Sequence, residues 1–207
     1  MNALAVLISG GLDSAILLGD ALLKHDAIFP IYIRCGLYWE DAEVTHLQRY
    51  LAALACPALR PLVILEQPVR DLYGAHWSIT GQNVPDAHSE DDAVFLPGRN
   101  LLLLAKSLLW CHLNRVPSLV LGSLGTNPFP DASPEFFQAM QNIVNQSVKG
   151  NVTIRLPFAG MKKKDVMHLG RNLPLDLTFS CIHPIGGEHC GKCNKCAERT
   201  KAFAELV

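Results

Sequence analysis

Leu4-Ala5-Val6-Leu7-Ile8-Ser9-Gly10-Gly11-Leu12-Asp13-Ser14 is the stretch whose reading decides the fold. It starts as an unbroken apolar run of strand length. It passes through a serine and two glycines and continues into Ala15-Ile16-Leu17-Leu18, which has helical character. A buried strand, a Gly-rich turn and a helix in succession form a phosphate cradle. Glycine lets backbone N–H groups come close to an anion, and the helix start adds unpaired donors and the positive end of its dipole. Ser9 and Ser14 add hydroxyls. Asp13 repels phosphate directly, so it reads as a helix cap or as the partner of a magnesium ion carried by the phosphates.

The turn lacks the Gly-Lys-Ser/Thr ending of a kinase-type phosphate loop. Ser9-Gly10-Gly11-Leu12-Asp13-Ser14 instead resembles the pyrophosphate loop of the ATP pyrophosphatase superfamily. The resemblance implies adenylation of a substrate oxygen with release of pyrophosphate.

Working outward, the chain alternates strands and helices. Ala27 to Ile33 reads as a second strand, and Leu62 to Leu65 as a third. Between them, residues 40–55 carry apolar groups at helical spacing (Ala42, Val44, Leu47, Leu51, Leu54) and end at Cys56-Pro57. Residues 66–96 lack periodicity and read as a long functional loop or lid. Pro97-Gly98-Arg99-Asn100 opens an apolar helix to Leu113, and Val116 to Leu121 is a fourth strand. Pro134 opens a helix capped by Asp131 or Ser133, Val152 to Leu156 is a fifth strand, and Lys162 to Leu169 is a further helix. This alternation predicts a doubly wound α/β fold around a five-stranded parallel sheet, with the loops that follow the strands gathered along one edge.

The bulk properties fit one catalytic domain. The chain has 207 residues, 49% of them hydrophobic and 18% charged, with a net charge of −1 and a mean hydropathy of +0.19. That length holds a full core. The near-neutral charge gives no pull toward nucleic acid or membrane. No run reaches the roughly 20 apolar residues of a membrane span, and the start of the chain has no leader pattern. A cytoplasmic location is expected, and the apolar balance suggests a homodimer.

Cys181, Cys190, Cys193 and Cys196 follow the pattern C-x8-C-x2-C-x2-C. Two overlapping C-x2-C knuckles with a fourth thiolate can close a tetrahedral zinc site, with no open position for catalysis. A structural Zn2+ is the expected occupant. An iron–sulfur cluster is the competitor that this spacing leaves open. The expected division is residues 1–175 as a nucleotide-binding body and 176–207 as a metal-binding segment with a final helix.

Both ends together resemble the 7-cyano-7-deazaguanine synthase family, QueC-like members of that superfamily. The match rests on Ser9–Ser14, on Leu96-Pro97-Gly98-Arg99-Asn100, on Pro130-Asp131 with Pro134-Glu135-Phe136, and on Thr178-Phe179-Ser180-Cys181 with His189 to Cys196 and Arg199. The resemblance implies a carbon–nitrogen ligase that uses ATP with Mg2+ to turn 7-carboxy-7-deazaguanine and ammonia into the nitrile. It also implies roles. Ile8, Ser9, Gly10, Gly11, Leu12, Asp13, Ser14, Arg99 and Asn100 would hold ATP, with Asp13 and Arg99 catalytic. Asp131 and Glu135 would bind the small-molecule carboxylate substrate.

The chain departs from the family pattern on the acceptor side. Where members carry a Tyr-Gly-Gln-Arg-His-like segment, this chain reads Arg34-Cys35-Gly36-Leu37-Tyr38-Trp39-Glu40. The substrate loop is reduced to Leu124-Gly125-Thr126-Asn127-Pro128-Phe129-Pro130-Asp131-Ala132-Ser133-Pro134-Glu135-Phe136. Adenylation is therefore the firmer expectation, and a relative that joins the carboxylate to another amine is the alternative. A non-catalytic ATP-binding subunit and a tRNA-modifying transferase are the other classes, and the latter would want a more basic surface.

Overall fold

The computed structural model describes residues 3–206. In chain order its elements are β1 (Ala3–Leu7), α1 (Leu12–Leu22), β2 (Ala27–Arg34), α2 (Glu40–Ala53), β3 (Val63–Glu66), α3 (Arg70–Tyr73), α4 (Trp77–Thr80), α5 (Arg99–Leu113), β4 (Ser118–Val120), α6 (Pro134–Val148), β5 (Thr153–Arg155), α7 (Lys163–Leu169) and α8 (Asn194–Ala204). The five strands form one sheet in the order β3-β2-β1-β4-β5, and every pairing is parallel. The expected doubly wound sheet is present.

Residue alternation along β1 divides the core between the two faces. Leu4, Val6 and Ile8 pack with α1, α2 and α7 residues such as Leu17, Leu47 and Val166. Ala5 points to the opposite face, where Ile31, Leu104, Leu108 and Phe137 pack. Both faces of a parallel sheet are thus covered, which is why its strands read as continuous apolar runs. Pro30 sits within β2, opposite Val6. It falls where the far edge of β2 has a gap. Ile28 bridges Leu59, and pairing with β3 begins at Ile31 and Val63, so the missing N–H removes no ladder bond.

Residues 66–96 differ from the expectation of a lid. They contain α3, α4 and a 3-10 turn at Asp91–Val94, with Val69, Ile79 and Val94 buried in the core. Trp77 stacks on Trp39 at 5.8 Å. The segment is also bonded to the cysteine region, where Asn194 N–H donates to Pro85 O at 3.0 Å and Asn194 Nδ2 donates to Ser89 O at 2.9 Å. Helices of four residues are too short to leave a periodic signal, which is why the sequence reads as loop.

The cap assignments resolve by geometry. Ser133 caps α6, its Oγ accepting from Phe136 N–H at 3.1 Å. Asp13 caps nothing. The residue before α1 is Gly11, and no side chain bonds there. The C-terminal segment shares the main core, since Phe179, Cys181, Ile182, Cys193 and Cys196 are all buried in the α5 and α6 face. Among the described residues, no helix is long and apolar enough to cross a membrane.

Candidate active site and metal centre

Strand β1 lies between β2 and β4, so the chain leaves its end in one direction and returns beside it from the other. The crevice at such a switch point is the usual ligand site of an open α/β sheet. Here it holds a cavity of about 600 Å³. The Ser9–Ser14 loop forms its floor. Gly10 has φ +78, a left-handed conformation that favours glycine. Ser9 N–H donates to Ser14 Oγ at 3.2 Å, and Ser14 Oγ–H donates to Gly11 O at 3.1 Å, so the turn is fixed by its own hydroxyls. The N–H groups of Leu12, Asp13 and Ser14 belong to the unpaired first turn of α1, beside the cavity.

Gly122, just beyond β4, closes the crevice from the other side. A Cβ there would lie 3.0 Å from the Asp13 carbonyl carbon and 3.2 Å from Ser14 N, so only glycine lets the end of β4 approach the first turn of α1 this closely. From α7, Lys163 Nζ reaches Asp13 Oδ1 at 2.6 Å. Arg99, the first residue of α5, also lines the cavity, and its Nε is buried without a hydrogen-bond partner among the described residues. A guanidinium and the N–H groups of a helix start that line one cavity form an arrangement able to bind an oxyanion.

The wall completed by Trp39, Phe129 and Phe179 is aromatic, and α8 supplies Lys195, Glu198, Arg199 and Lys201 to the rim. Phe179 N–H donates to Gly10 O at 2.8 Å, which pins the C-terminal segment to the loop. Arg199 ties α8 to the same segment, donating to Thr178 Oγ1 at 2.6 Å and to Leu175 O at 2.9 Å, with its guanidinium 4.8 Å from the Phe203 ring. The Ser180 N–H donates to His189 Nε2 at 3.2 Å, and burial pushes the His189 imidazole down to about 4, so the ring stays neutral.

Ser9, Gly11, Leu12, Asp13, Ser14 and Arg99 line this cavity, while Ile8, Gly10, Asn100, Asp131 and Glu135 do not. Ile8 is buried in the core. Asn100 N–H donates to Asp131 Oδ2 at 3.0 Å, and Asn100 Nδ2 donates to Asp131 O at 2.9 Å. The Asp131 carboxylate therefore holds the start of α5, and with it Arg99. Glu135 is exposed in the first turn of α6.

Glu43 had no assigned role in the sequence reading, and within Lys162-Lys163-Lys164 the sequence offered one lysine to a phosphate without saying which. Lys163 stands in a lysine triplet that offers three equal choices. Glu43 is buried on α2 in the cavity wall, with Tyr32 OH donating to its Oε2 at 2.5 Å. Its signal was its spacing. Glu43 shares a helical stripe with Leu47, Tyr50 and Leu54, where an apolar residue belongs.

The sulfurs of Cys181, Cys190, Cys193 and Cys196 lie within 4.8 Å of one another, as donors around one metal ion do. Backbone N–H groups already serve them. His183 and Cys190 donate to Cys181 Sγ at 3.3 and 3.4 Å, and Lys192 and Cys193 each donate to Cys190 Sγ at 3.4 Å. Such bonds stabilise thiolate ligands and orient them. This cluster can hold a metal ion, and none of its four cysteines lines the cavity, although their neighbours Ser180, Ile182 and Lys195 do.

Comparison with known proteins identifies the family and the fold. Residues 3–207 match the family model described as "Queuosine biosynthesis protein QueC". A 7-cyano-7-deazaguanine synthase of Desulfotalea psychrophila is 32% identical, over 96% of this chain and 92% of that protein. The 7-cyano-7-deazaguanine synthase 1 of Desulfitobacterium hafniense is 29% identical, over 98% and 91%. Among solved structures, a 4-thiouridine synthetase–RNA complex with bound ATP superposes with a TM-score of 0.54 at 13% identity, over 99% of this chain and 50% of that one. At that identity the likeness concerns the fold alone.

Proposed function

Because this chain belongs to the QueC family, a family of ATP-dependent carbon–nitrogen ligases, we propose that it adenylates the carboxylate of 7-carboxy-7-deazaguanine and joins nitrogen to it on the way to the nitrile. One observation carries the reading. The free N–H groups at the start of α1, Arg99 and Lys163 converge on a single cavity at the switch point of the sheet.

In this reading the loop N–H groups take the departing pyrophosphate, where negative charge develops as the bond to the α-phosphorus breaks. The substrate carboxylate forms the new P–O bond. Nitrogen then attacks the acyl carbon, and AMP leaves with the electron pair of the C–O bond. Arg99 neutralises charge at the reacting oxygens, and Asp131 orients it through Asn100. Lys163 exchanges its Asp13 partner for phosphate, which frees Asp13 to hold Mg2+. The bound Mg2+ offsets triphosphate charge. Phe129 offers an aromatic face for a purine-like ring, with Trp39, stacked on Trp77, at the cavity wall.

Residues 176–207 act as a metal-held segment on the 1–175 body. Zn–S bonds of about 2.3 Å at tetrahedral angles place sulfurs about 3.8 Å apart. Cys181 and Cys193 are 3.8 Å apart and Cys190 and Cys196 are 3.9 Å apart, within a set that spans up to 4.8 Å, which supports a single structural zinc after slight contraction. Cytoplasmic homodimers that bind neither membrane nor nucleic acid complete the reading.

A second reading has its own support. With Asp131 occupied and Glu135 outside the cavity, the two acids that would read a guanine-like edge are not presented to it. That favours a relative that adenylates a deazaguanine-like carboxylate and joins it to another amine. Mass spectrometry of the protein with 7-carboxy-7-deazaguanine, ammonium, magnesium and ATP separates the two. Turnover to the nitrile supports the first. Pyrophosphate release that stops at the adenylate or amide supports the second. No consumption of ATP across a panel of carboxylates rejects both.

A further inference from the structure

Among the described residues that line the cavity, Glu43 is the one buried carboxyl. Glu43 is 6% exposed, and among the described residues it forms no salt bridge. Its Oε2 accepts from Tyr32 OH, and its other oxygen, Oε1, has no partner among the described residues. The backbone of Gly10 runs directly beside it, since a Cβ on Gly10 would come within 3.4 Å of Glu43 Cγ. The charged and titratable groups around it are few. Tyr32 approaches from β2, Glu40 lies one turn away on α2, Cys35 follows β2, and Arg99 stands at the start of α5. Glu40 is spent elsewhere, accepting from the Cys35 and Gly36 N–H groups at 2.6 and 2.8 Å.

A carboxylate taken out of water without a paired cation takes up a proton instead. Tyr32 already donates to Oε2, so the proton of the acid form belongs on Oε1, on a residue that lines the cavity. We propose that Glu43 works as a neutral carboxylic acid whose Oε1–H donates a hydrogen bond to an oxyanion held in the cavity. Its position against Gly10 makes a phosphate oxygen of ATP the first source of that oxyanion, and the substrate carboxylate the second. The inference rests on the ATP reading above and adds a binding contact that the loop sequence does not contain.

Burial pushes the Glu43 carboxyl up to about 8, against the lowering influence of Tyr32 and Arg99 and with a further rise from Glu40. If binding needs the protonated form, affinity holds below that value and falls above it, by about tenfold between pH 7 and pH 9. The test is the Kd of a non-hydrolysable ATP analogue with magnesium, and separately of 7-carboxy-7-deazaguanine, measured by calorimetry from pH 7 to pH 9 on the metal-loaded protein. Glu43→Gln keeps a donor toward the cavity and an acceptor for Tyr32, so it binds about as tightly as wild type at pH 7 with no loss at pH 9. Tyr32→Phe removes a bond that stabilises the ionised form, so its break moves to higher pH.

A wild-type break seen with the analogue and absent from Glu43→Gln assigns the contact to phosphate. The same pattern seen only with the carboxylate assigns it to the substrate. A flat wild-type profile for both ligands, or a break that persists unchanged in Glu43→Gln, overturns the inference and leaves the adenylation reading intact. A wild-type protein that binds neither ligand at any pH overturns both.

Discussion

Replacing Gly122 by alanine tests whether the crevice geometry, and not merely its residue types, supports activity. Gly122 faces the Asp13–Ser14 peptide, and a methyl group there would sit 3.0 Å from the Asp13 carbonyl carbon, 3.1 Å from its oxygen and 3.2 Å from Ser14 N. These atoms are backbone in the first turn of α1, where Ala15 N–H is already bonded to Gly11 O at 3.0 Å, so they cannot rotate away as a side chain would. The loop must move by about 0.4 Å to reach ordinary contact. Forcing a methyl into a packed place costs about 1–3 kcal/mol. For a chain of this size that lowers Tm by roughly 3–10 °C. The same displacement moves the phosphate donors. Since misplacement by about 1 Å costs on the order of a hundredfold in rate, ATP–pyrophosphate exchange is expected to fall about tenfold. Gly160→Ala is the control, because a Cβ there meets nothing within 4 Å. Thermal unfolding and ATP–pyrophosphate exchange measured on both variants decide the matter. A Gly122→Ala protein that exchanges as fast as the Gly160→Ala control would refute the argument that close approach of the β4 end to the first turn of α1 organises the loop.

Other consequences follow from the same geometry. Glu43 holds a proton in the folded protein that it loses when unfolded, since its value rises from 4.5 to about 8. This contribution to stability is complete below the ordinary value and is lost as pH rises through about 8. Chemical denaturation should therefore show wild type losing a few kcal/mol relative to Glu43→Gln between pH 5 and pH 9, and parallel curves would contradict the burial argument. Lys163→Ala leaves Asp13 without its cation beside the phosphate site, and the KM for ATP should rise about tenfold while Tm changes little, because the pair is partly exposed. A strong chelator should remove one zinc per chain and lower Tm by more than 10 °C, because Cys181, Cys193 and Cys196 are buried with Phe179 in the main core. Metal analysis that finds iron and labile sulfide instead would replace zinc with a cluster. Arg199→Lys loses the forked contact with Thr178 and Leu175 O and should cost about 1–3 kcal/mol of stability.

Local chemistry was legible in the sequence wherever neighbouring residues carry it. An apolar run of strand length, two glycines and a serine before a helix specify a strand, a tight turn and a helix start with free N–H groups, because backbone conformation and helix-end donors depend on adjacent residues. Four thiols at close spacing specify a site that can hold a metal ion, since the chain can bring their sulfurs within 4.8 Å of one another. The alternation of periodicities along the chain was enough to predict a parallel sheet covered on both faces. Tertiary structure decided what depends on approach between distant residues. The strand order puts Gly122 against Asp13, and the fold selects Lys163 from three successive lysines although it lies 150 positions from Asp13. Asp131 turns inward to hold Asn100, so its carboxylate serves the helix and not the cavity. Residues 66–96 are ordered by contacts with Trp39 and Asn194, which no local pattern encodes. Glu43 was visible only as one acid on an apolar stripe. Its burial beside Tyr32 and Gly10 is what makes it neutral, and burial is a property of the packed chain.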